Sequence, residues 1–191
     1  EFRRVLFRSD PEVFTAPDGS QYLLAAYSAT SQPIRVLPLD ASGRAAGPIT
    51  VLAGLDFPWE YPFIENPSMV RTPGGDYLLA YSAGDWRTGS YSTATARCTG
   101  PLGPCTKAPA RSPWLVSGND RSGTGGLTFF ARADGTTMAA YASWNTDCEA
   151  SPSPTAAGRL CRDDANGVFP WRQGSVATVD FGVLSPAPLL R

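Results

Sequence analysis

Short apolar runs separated by glycine turns recur three times along this chain. In the first copy, the turn Pro-Asp-Gly at 17–19 precedes the run Tyr-Leu-Leu-Ala-Ala-Tyr-Ser at 22–28. The other two copies are Pro-Gly-Gly at 73–75 with Tyr-Leu-Leu-Ala-Tyr-Ser at 77–82, and Ala-Asp-Gly at 133–135 with Met-Ala-Ala-Tyr-Ala-Ser at 138–143. An apolar run also precedes each turn, so each copy predicts a β-hairpin.

A second hairpin follows the first two copies. Strands at 34–39 and 49–52 flank one turn, and a strand at 91–97 runs into the turn 99–104. In the third copy, 176–181 is one candidate strand and 159–162 belongs to another.

Four strands per period of 54 to 60 residues, the spacings between Tyr27, Tyr81 and Tyr141, are typical of β-propeller blades. A plain β-sandwich is the alternative, but it does not require the same hairpin three times. The expected fold is therefore all-β, an incomplete propeller with about three four-stranded blades. Three blades do not close a ring, so we expect the chain to be a fragment.

The first nine residues differ from the rest. Three arginines alternate with apolar residues there, and the segment 5–9 back-translates to a sequence that resembles a common sequencing-adapter end. We interpret 1–9 as a non-native segment and 10–191 as a partial propeller domain. A natural basic strand is the alternative.

Composition excludes several kinds of function. The net charge of −1 gives no electrostatic case for nucleic acid or an anionic membrane, and no apolar run is long enough to span a bilayer. Histidine is absent, which excludes Ser-His-Asp and Cys-His catalysis and histidine metal sites within this chain. Carboxylates are therefore the expected catalytic groups.

Four cysteines lie at positions 98, 105, 148 and 161. Their spacing is not that of a zinc site, and the even count favours disulfides and a secreted, extracellular protein. Pairing of Cys98 with Cys105 and of Cys148 with Cys161 is local in sequence, but three pairings are open. Four reduced thiols in a cytosolic protein are the alternative.

One carboxylate has unusual neighbours. Glu65 follows Trp59, Tyr61, Phe63 and Ile64. Apolar surroundings disfavour the charged form of a carboxyl group and raise its pKa, which suits a general acid. A surface glutamate at the end of a loop is the alternative.

The up-and-down order of strands places a second carboxylate near Glu65. First strands of blades line the central channel, and their starts share one face of the ring. Asp10 and Glu65 both begin first strands, so we expect them at one mouth of the channel on neighbouring blades. The loop 84–87 and the connections 57–63 and 117–126 are expected on the same face.

Several motifs in order resemble glycoside hydrolase family 43, five-bladed propeller enzymes that act on arabinan and xylan side chains. The motifs are Asp-Pro-Glu-Val-Phe at 10–14, Glu-Asn-Pro-Ser-Met at 65–69, Ser-Tyr-Ser-Thr-Ala-Thr-Ala at 90–96 with Gly-Pro-Leu-Gly-Pro at 100–104, and Gly-Thr-Gly at 123–125. The resemblance covers most of residues 10–145.

The resemblance implies roles for two residues and an inverting mechanism. Glu65 matches the family's general acid, and Asp10 matches the aspartate that tunes the pKa of that acid and holds the sugar. The family's general base lies on an earlier blade, and no position of this chain matches it. Trp59, Phe63 and Trp86 are candidate walls for a sugar ring, and inter-blade packing is the alternative for each.

The resemblance also bears on cofactors and partners. Members often carry a histidine at a central calcium or water site. Gly126 stands at about that place, so we expect no required cofactor and regard calcium as doubtful. The expected partner is an oligo- or polysaccharide substrate bound by a monomer. Alternatives are a retaining, invertase-like propeller, whose acid motif usually has Cys where Asn66 stands, and a non-catalytic sugar-binding propeller.

Overall fold

The chain forms three four-stranded antiparallel sheets, each built from consecutive strands. The computed structural model describes residues 9–26, 33–107, 113–117, 121–144, 172–181 and 189–190. The first sheet contains β1 (Ser9–Thr15), β2 (Gln21–Ala26), β3 (Ile34–Leu39) and β4 (Thr50–Ala53). The second contains β5 (Ile64–Arg71), β6 (Tyr77–Ala83), β7 (Ser92–Cys98) and β8 (Cys105–Lys107). The third contains β9 (Ser122–Ala131), β10 (Thr137–Trp144), β11 (Arg172–Asp180) and β12 (Leu189–Leu190).

This order confirms the predicted three blades of four strands. β1 lies beside β5, and β5 lies beside β9, so the first strand of each sheet is innermost. Residues 176–180 of the candidate strand at 176–181 lie in β11, while the candidate at 159–162 lies outside the described residues. The fourth strand of the third sheet is β12, which pairs with the end of β11.

The predicted hairpin turns have the backbone that their glycines suggest. Gly19, Gly75 and Gly135 have φ of 86°, 95° and 83°. These left-handed values cost glycine little because it has no Cβ. Each turn joins the first two strands of its sheet, so the repeated glycine sets the length of the innermost hairpin.

The second sheet is buried on both faces. Leu79 and Tyr81 of β6 pack into a core shared with Leu24 and Ile34 of the first sheet, while Ala80 packs into a core shared with the third. This explains why β6 is a nearly continuous apolar run rather than an alternating one. Burying one side chain of leucine size contributes about 1.5–3 kcal/mol.

Each first strand is interrupted by a bulge at its start. The register against the second strand shifts between Ser9 and Glu12, and between Glu65 and Ser68. In the third sheet the same shift lies opposite the step from Ala140 to Ala142. Asp10, Asn66 and Gly126 occupy the bulges, with φ of 53°, 50° and 63°. These residue types tolerate left-handed backbone best.

The connection between the first and second sheets is fixed by a buried ion pair. The short 3-10 helix Pro58–Glu60 ends at Glu60, whose side chain is fully buried. Lys107 of β8, the only lysine in the sequence, donates to both carboxylate oxygens of Glu60 at 2.7 and 2.8 Å. The Tyr81 hydroxyl and the backbone N–H of Asp56 also donate to this carboxylate. Glu65 follows five residues later.

Cys98 and Cys105 form a disulfide that joins the end of β7 to the start of β8. This agrees with the local pairing considered from sequence. Cys148 and Cys161 lie outside the described residues. Within the described ranges, no helix has the length and apolar character needed to cross a bilayer.

We expect Lys107→Met to destabilise the protein by about 3–5 kcal/mol, because it leaves a buried carboxylate without its counter-ion. Urea unfolding at neutral pH measures the change. Arg97→Met is the matched control, since Arg97 pairs with Asp76 at 2.7 Å on the exposed surface of the same sheet and such pairs contribute about 0–1 kcal/mol. Equal losses in the two variants would contradict a structural role for the buried pair.

Candidate active site

Asp10 and Glu65 lie together at the starts of β1 and β5. The backbone N–H of Asn66, next to Glu65, faces Asp10 Oδ2 at 3.4 Å. The register shows that Asp10 occupies the bulge position of Asn66, whereas Glu65 corresponds to Ser9. The two carboxylates therefore come from neighbouring rather than equivalent positions of the repeat. They are close enough for the charge of Asp10 to act on Glu65.

The pKa of Glu65 is raised above its ordinary value. Burial is the main cause, because it removes water from the charged form. The hydrogen bond from Tyr91 lowers the pKa in part, and the negative charge of Asp10 raises it. Two weaker electrostatic effects follow, a lowering by Arg172 and a raising by Asp85. The net result is a carboxyl group that stays protonated to a higher pH than an exposed glutamate does.

Tyr91 makes the direct contact with this carboxyl group. Its hydroxyl donates to Glu65 Oε1 at 2.8 Å and accepts from Asn66 Nδ2 at 2.8 Å. Burial and the nearby charge of Glu65 raise the pKa of Tyr91, so its hydroxyl stays protonated and available as a donor. Tyr91 directly precedes β7, which places it in the second sheet with Glu65.

Arg172 brings a positive charge to the site from the third sheet. Its guanidinium lies 5.5 Å from the centre of the Tyr91 ring and 5.3 Å from that of Trp144. It also donates to the backbone oxygens of Gly123 and Ala142 at 3.2 Å. Burial lowers the pKa of Arg172, but an arginine stays charged at this depth. The site therefore combines carboxylates with one fixed cation.

The three aromatic residues predicted to contact substrate have different surroundings. Trp59 stacks on Phe57 with ring centres 6.0 Å apart and packs against the core between the first two sheets. Phe63 is half-buried, and its carbonyl accepts from the Gly84 N–H. Trp86 is 47% exposed. Of the three, Trp86 has the ring most accessible to a ligand, and the substrate-binding roles stay predictions.

The loop that carries Trp86 is fixed to the third sheet. The Trp86 carbonyl accepts from Trp144 Nε1 at 3.1 Å and from Arg172 at 3.3 Å. Asp85 is held by a 2.7 Å ion pair with Arg87. The loop 84–87 thus lies on the same face as Glu65, as expected from the strand order.

A cavity of about 130 Å³ lies beside Asp10 along the inner strands. Glu12 of β1 lines this cavity, and its hydrogen bonds link the first strands of all three sheets. Its carboxylate accepts from the Ser68 hydroxyl at 2.7 Å and from the Thr128 hydroxyl at 2.9 Å. Burial raises the pKa of Glu12, and these two hydrogen bonds offset part of the increase.

The residues around this cavity do not fit a calcium site. Calcium prefers six to eight oxygen ligands, with several carboxylates among them. Both oxygens of Glu12 already accept hydroxyl protons, and Gly126 offers no side chain. No group of three or more His, Cys, Asp or Glu residues that could hold a metal ion occurs in the described part of the chain.

Sequence reasoning missed Tyr91 and Arg172 as site residues. Tyr91 lies within the motif 90–96, so its proximity to Glu65 could have been anticipated from the turn that separates β6 from β7. Arg172 follows a long stretch without a clear pattern, and no spacing rule connects it to Glu65. Gly125 is consistent with this position of Tyr91, since a Cβ at residue 125 would lie 2.1 Å from the Tyr91 ring.

No family model matches the sequence, and no curated protein matches it. Solved structures do match. A thermostable family-43 glycoside hydrolase is 19% identical with a TM-score of 0.72, covering 97% of this chain and 60% of that one. An endo-1,4-beta-xylanase from Bacteroides thetaiotaomicron is 19% identical with a TM-score of 0.71, covering 95% and 57%. An alpha-L-arabinofuranosidase from Lactobacillus brevis is 20% identical with a TM-score of 0.68, covering 95% and 55%.

These similarities show the fold. The three sheets are blades of a β-propeller, and the arrangement is that of solved family-43 glycoside hydrolases. The fold class expected from the repeat is confirmed. The chain spans 60% or less of the length of these three structures.

We expect Glu65→Gln to stabilise the protein at neutral pH. A group whose pKa is raised by folding contributes stability below its unfolded pKa and loses it as pH rises through the folded value. The neutral amide avoids that loss. Unfolding free energies measured in urea from pH 3 to 8 should therefore diverge from the wild type as pH rises.

The control for this prediction has the opposite sign. The Thr72 hydroxyl and Arg97 hold the pKa of Asp76 below its usual range. Its stabilisation is present above the unfolded pKa and is lost as pH falls through the folded value. Asp76→Asn should therefore destabilise the protein at neutral pH and lose its effect in acid. Parallel pH profiles for the two variants would rule out the raised pKa of Glu65.

Proposed function

We propose that this protein hydrolyses O-glycosidic bonds in the side chains of plant cell-wall polysaccharides, in the arabinan, arabinoxylan and xylan class. The observation that carries the proposal is the placement of Glu65, half-buried with a raised pKa, beside Asp10 at the inner strands of a propeller. A surface glutamate would have neither the burial nor the neighbouring carboxylate. The similar structures include a xylanase and an arabinofuranosidase, which supports the substrate class.

The proposed chemistry is a single displacement with inversion at the anomeric carbon. Glu65 donates its proton to the leaving-group oxygen as the glycosidic bond breaks. A water molecule, activated by a carboxylate base, attacks the opposite face of the sugar. Asp10 raises the pKa of Glu65 by like-charge repulsion and accepts a hydrogen bond from a sugar hydroxyl. The base that takes the proton of this water is a third carboxylate, which the family resemblance places on an earlier blade and which no position of this chain matches, so added azide takes the place of activated water in the test below.

We assign binding of the sugar to the aromatic residues predicted from the sequence. Trp86 offers an exposed ring on the loop after β6, and sugar rings stack on such aromatic surfaces. Phe63 directly precedes β5 and is the second candidate contact for the sugar. Trp59 contributes less to sugar binding in this proposal, because one face of its ring already packs on Phe57.

We extend the proposal to the protein's setting. A disulfide such as Cys98–Cys105 persists in oxidising compartments, which supports secretion. An extracellular location suits a polysaccharide substrate that cannot enter a cell. We propose a monomer that needs no cofactor.

Turnover of aryl α-L-arabinofuranosides and β-D-xylopyranosides tests the proposal. Glu65→Gln should lower kcat on 4-nitrophenyl glycosides about 10²–10⁴-fold, the usual contribution of a general acid. On 2,4-dinitrophenyl glycosides the loss should be much smaller, because that leaving group departs without a proton. Sodium azide is included, since it can attack the anomeric carbon in place of activated water and release a glycosyl azide.

Controls separate this reading from its alternatives. Asp180→Asn, on β11, is a control carboxylate outside the proposed site. An NMR time course of the released sugar shows the anomer formed first, and retention would favour an invertase-like mechanism. Oligosaccharide binding without turnover in water or azide, unchanged by Glu65→Gln, would favour a binding module and overturn the hydrolase.

A further inference from the structure

The hydroxyl of Tyr91 has all of its hydrogen-bonding capacity in use. A tyrosine hydroxyl has one proton to donate and two lone pairs. Asn66 Nδ2, which can only donate, points to it at 2.8 Å, and the Ser82 hydroxyl is a second neighbour. The Ser82 oxygen itself accepts from the Gly126 N–H at 2.7 Å. The proton of Tyr91 is thus left for Glu65 Oε1.

The hydrogen bond from Tyr91 makes the two carboxyl oxygens of Glu65 different. Because Oε1 accepts the Tyr91 proton, a proton held by the carboxyl group belongs on Oε2. A general acid must present its proton toward the leaving group. The hydrogen bond therefore fixes both the rotation of the carboxyl group and the oxygen that delivers the proton.

We propose that Tyr91 is a positioning residue for Glu65: its hydroxyl holds Oε1 so that Oε2 carries the transferable proton, and Gly125 provides the space that the Tyr91 ring needs. The catalytic meaning of this inference rests on the proposed hydrolase function. The geometric part, the control of the Glu65 carboxyl by Tyr91, does not depend on it.

Gly125 is the part of the third sheet that makes this possible. A Cβ at position 125 would lie 2.1 Å from Tyr91 Cε1 and 2.7 Å from Cδ1. The Tyr91 ring is 2% exposed and cannot move outward without leaving its pocket. Arg172 covers the ring at 5.5 Å from its centre. The ring is thus held between β9 and β11, while its hydroxyl reaches β5.

Other charges also face Glu65, and the test must separate them from Tyr91. Asp10 on β1 and Asp85 on the loop after β6 raise the pKa of Glu65, and Arg172 on β11 lowers it. Tyr91→Phe leaves all three charges in place and removes only one hydroxyl. Since the lost hydrogen bond favoured the charged carboxylate, the pKa of Glu65 should rise further in this variant.

The titration can be read directly by NMR. The chain has five glutamates, at positions 1, 12, 60, 65 and 149, so protein labelled with ¹³C at the glutamate Cδ gives at most five carboxyl signals. The signal absent from Glu65→Gln identifies residue 65. In Tyr91→Phe its midpoint should move to higher pH. An unchanged midpoint in a folded variant would overturn the proposal.

Two matched pairs of variants control for structural damage. Tyr81→Phe removes a similarly buried hydroxyl that donates to Glu60 at 2.7 Å, and it should leave the Glu65 signal where it was. Gly125→Ala should reproduce the upward movement by displacing Tyr91. Gly174→Ala, in the same sheet with no atom within 4 Å of the added Cβ, should not. An equal shift in Tyr81→Phe would assign the effect to packing and overturn the proposal.

A kinetic readout adds the link to catalysis. On 4-nitrophenyl glycosides, Tyr91→Phe should lower kcat by about 10-fold to 100-fold with KM nearly unchanged, because the acid is misplaced rather than the sugar. The high-pH limb of the profile should move upward with the NMR midpoint. An NMR shift without any turnover by the wild type, in water or with azide, would reject the hydrolase while keeping the control of Glu65 by Tyr91.

Discussion

The left-handed bulge at the start of each first strand is the constraint on which the site depends. An inserted residue bends a strand and turns the neighbouring side chain out of the regular alternation. Asp10, Asn66 and Gly126 occupy this position in three successive sheets. After the bulge, the side chains of Glu12, Ser68 and Thr128 form hydrogen bonds across the three inner strands. Directly before the bulge of the second sheet lies Glu65. The same bulge thus positions both the hydrogen bonds that link the three sheets and the candidate catalytic residue.

The bulge also explains how the first two repeats can each use a glutamate for a different purpose. Glu12 follows its bulge and is tied by two hydroxyls, so it joins the sheets. Glu65 precedes its bulge and, among the described residues, accepts from one hydroxyl donor, Tyr91, through Oε1. Both have raised pKa values because both are partly desolvated. Perturbed pKa values occur in structural as well as functional groups. Within the described part of the chain, two hydroxyls donate to Glu12 and one donates to Glu65, which distinguishes the two groups.

Much of the fold could be predicted from sequence because it is repetitive. The turns at Gly19, Gly75 and Gly135 and the period between them define the hairpins, and the order of strands follows. The fourth strand of the third sheet could not be found, since Leu189–Leu190 is too short to carry a pattern. Pairing across a sheet depends on partners that a local sequence window does not contain.

The site was predictable only in part, and the reason is sequence distance. Asp10 and Glu65 begin equivalent strands, so the repeat itself brings them together. Tyr91 lies 26 positions from Glu65 and meets it because β6 returns the chain to the same face. Arg172 belongs to a third strand, 107 positions beyond Glu65, and reaches the site between two rings. No periodicity at the level of hairpins encodes that contact.

Glycines in the third sheet leave room for side chains of the site, whereas the first two sheets supply its carboxylates. Where the second sheet has Glu65 before its bulge, the third has Gly125, and a side chain there would collide with the Tyr91 ring. Gly123 has a similar constraint, since its Cβ would lie 2.6 Å from the Thr88 carbonyl and 2.9 Å from the Trp144 ring. At both positions the third repeat has no side chain where one would collide with residues of the site. A hairpin that conserves only its backbone path can support a neighbour's acid without contributing a reactive group, and this accounts for a glycine-rich strand in the middle of a site.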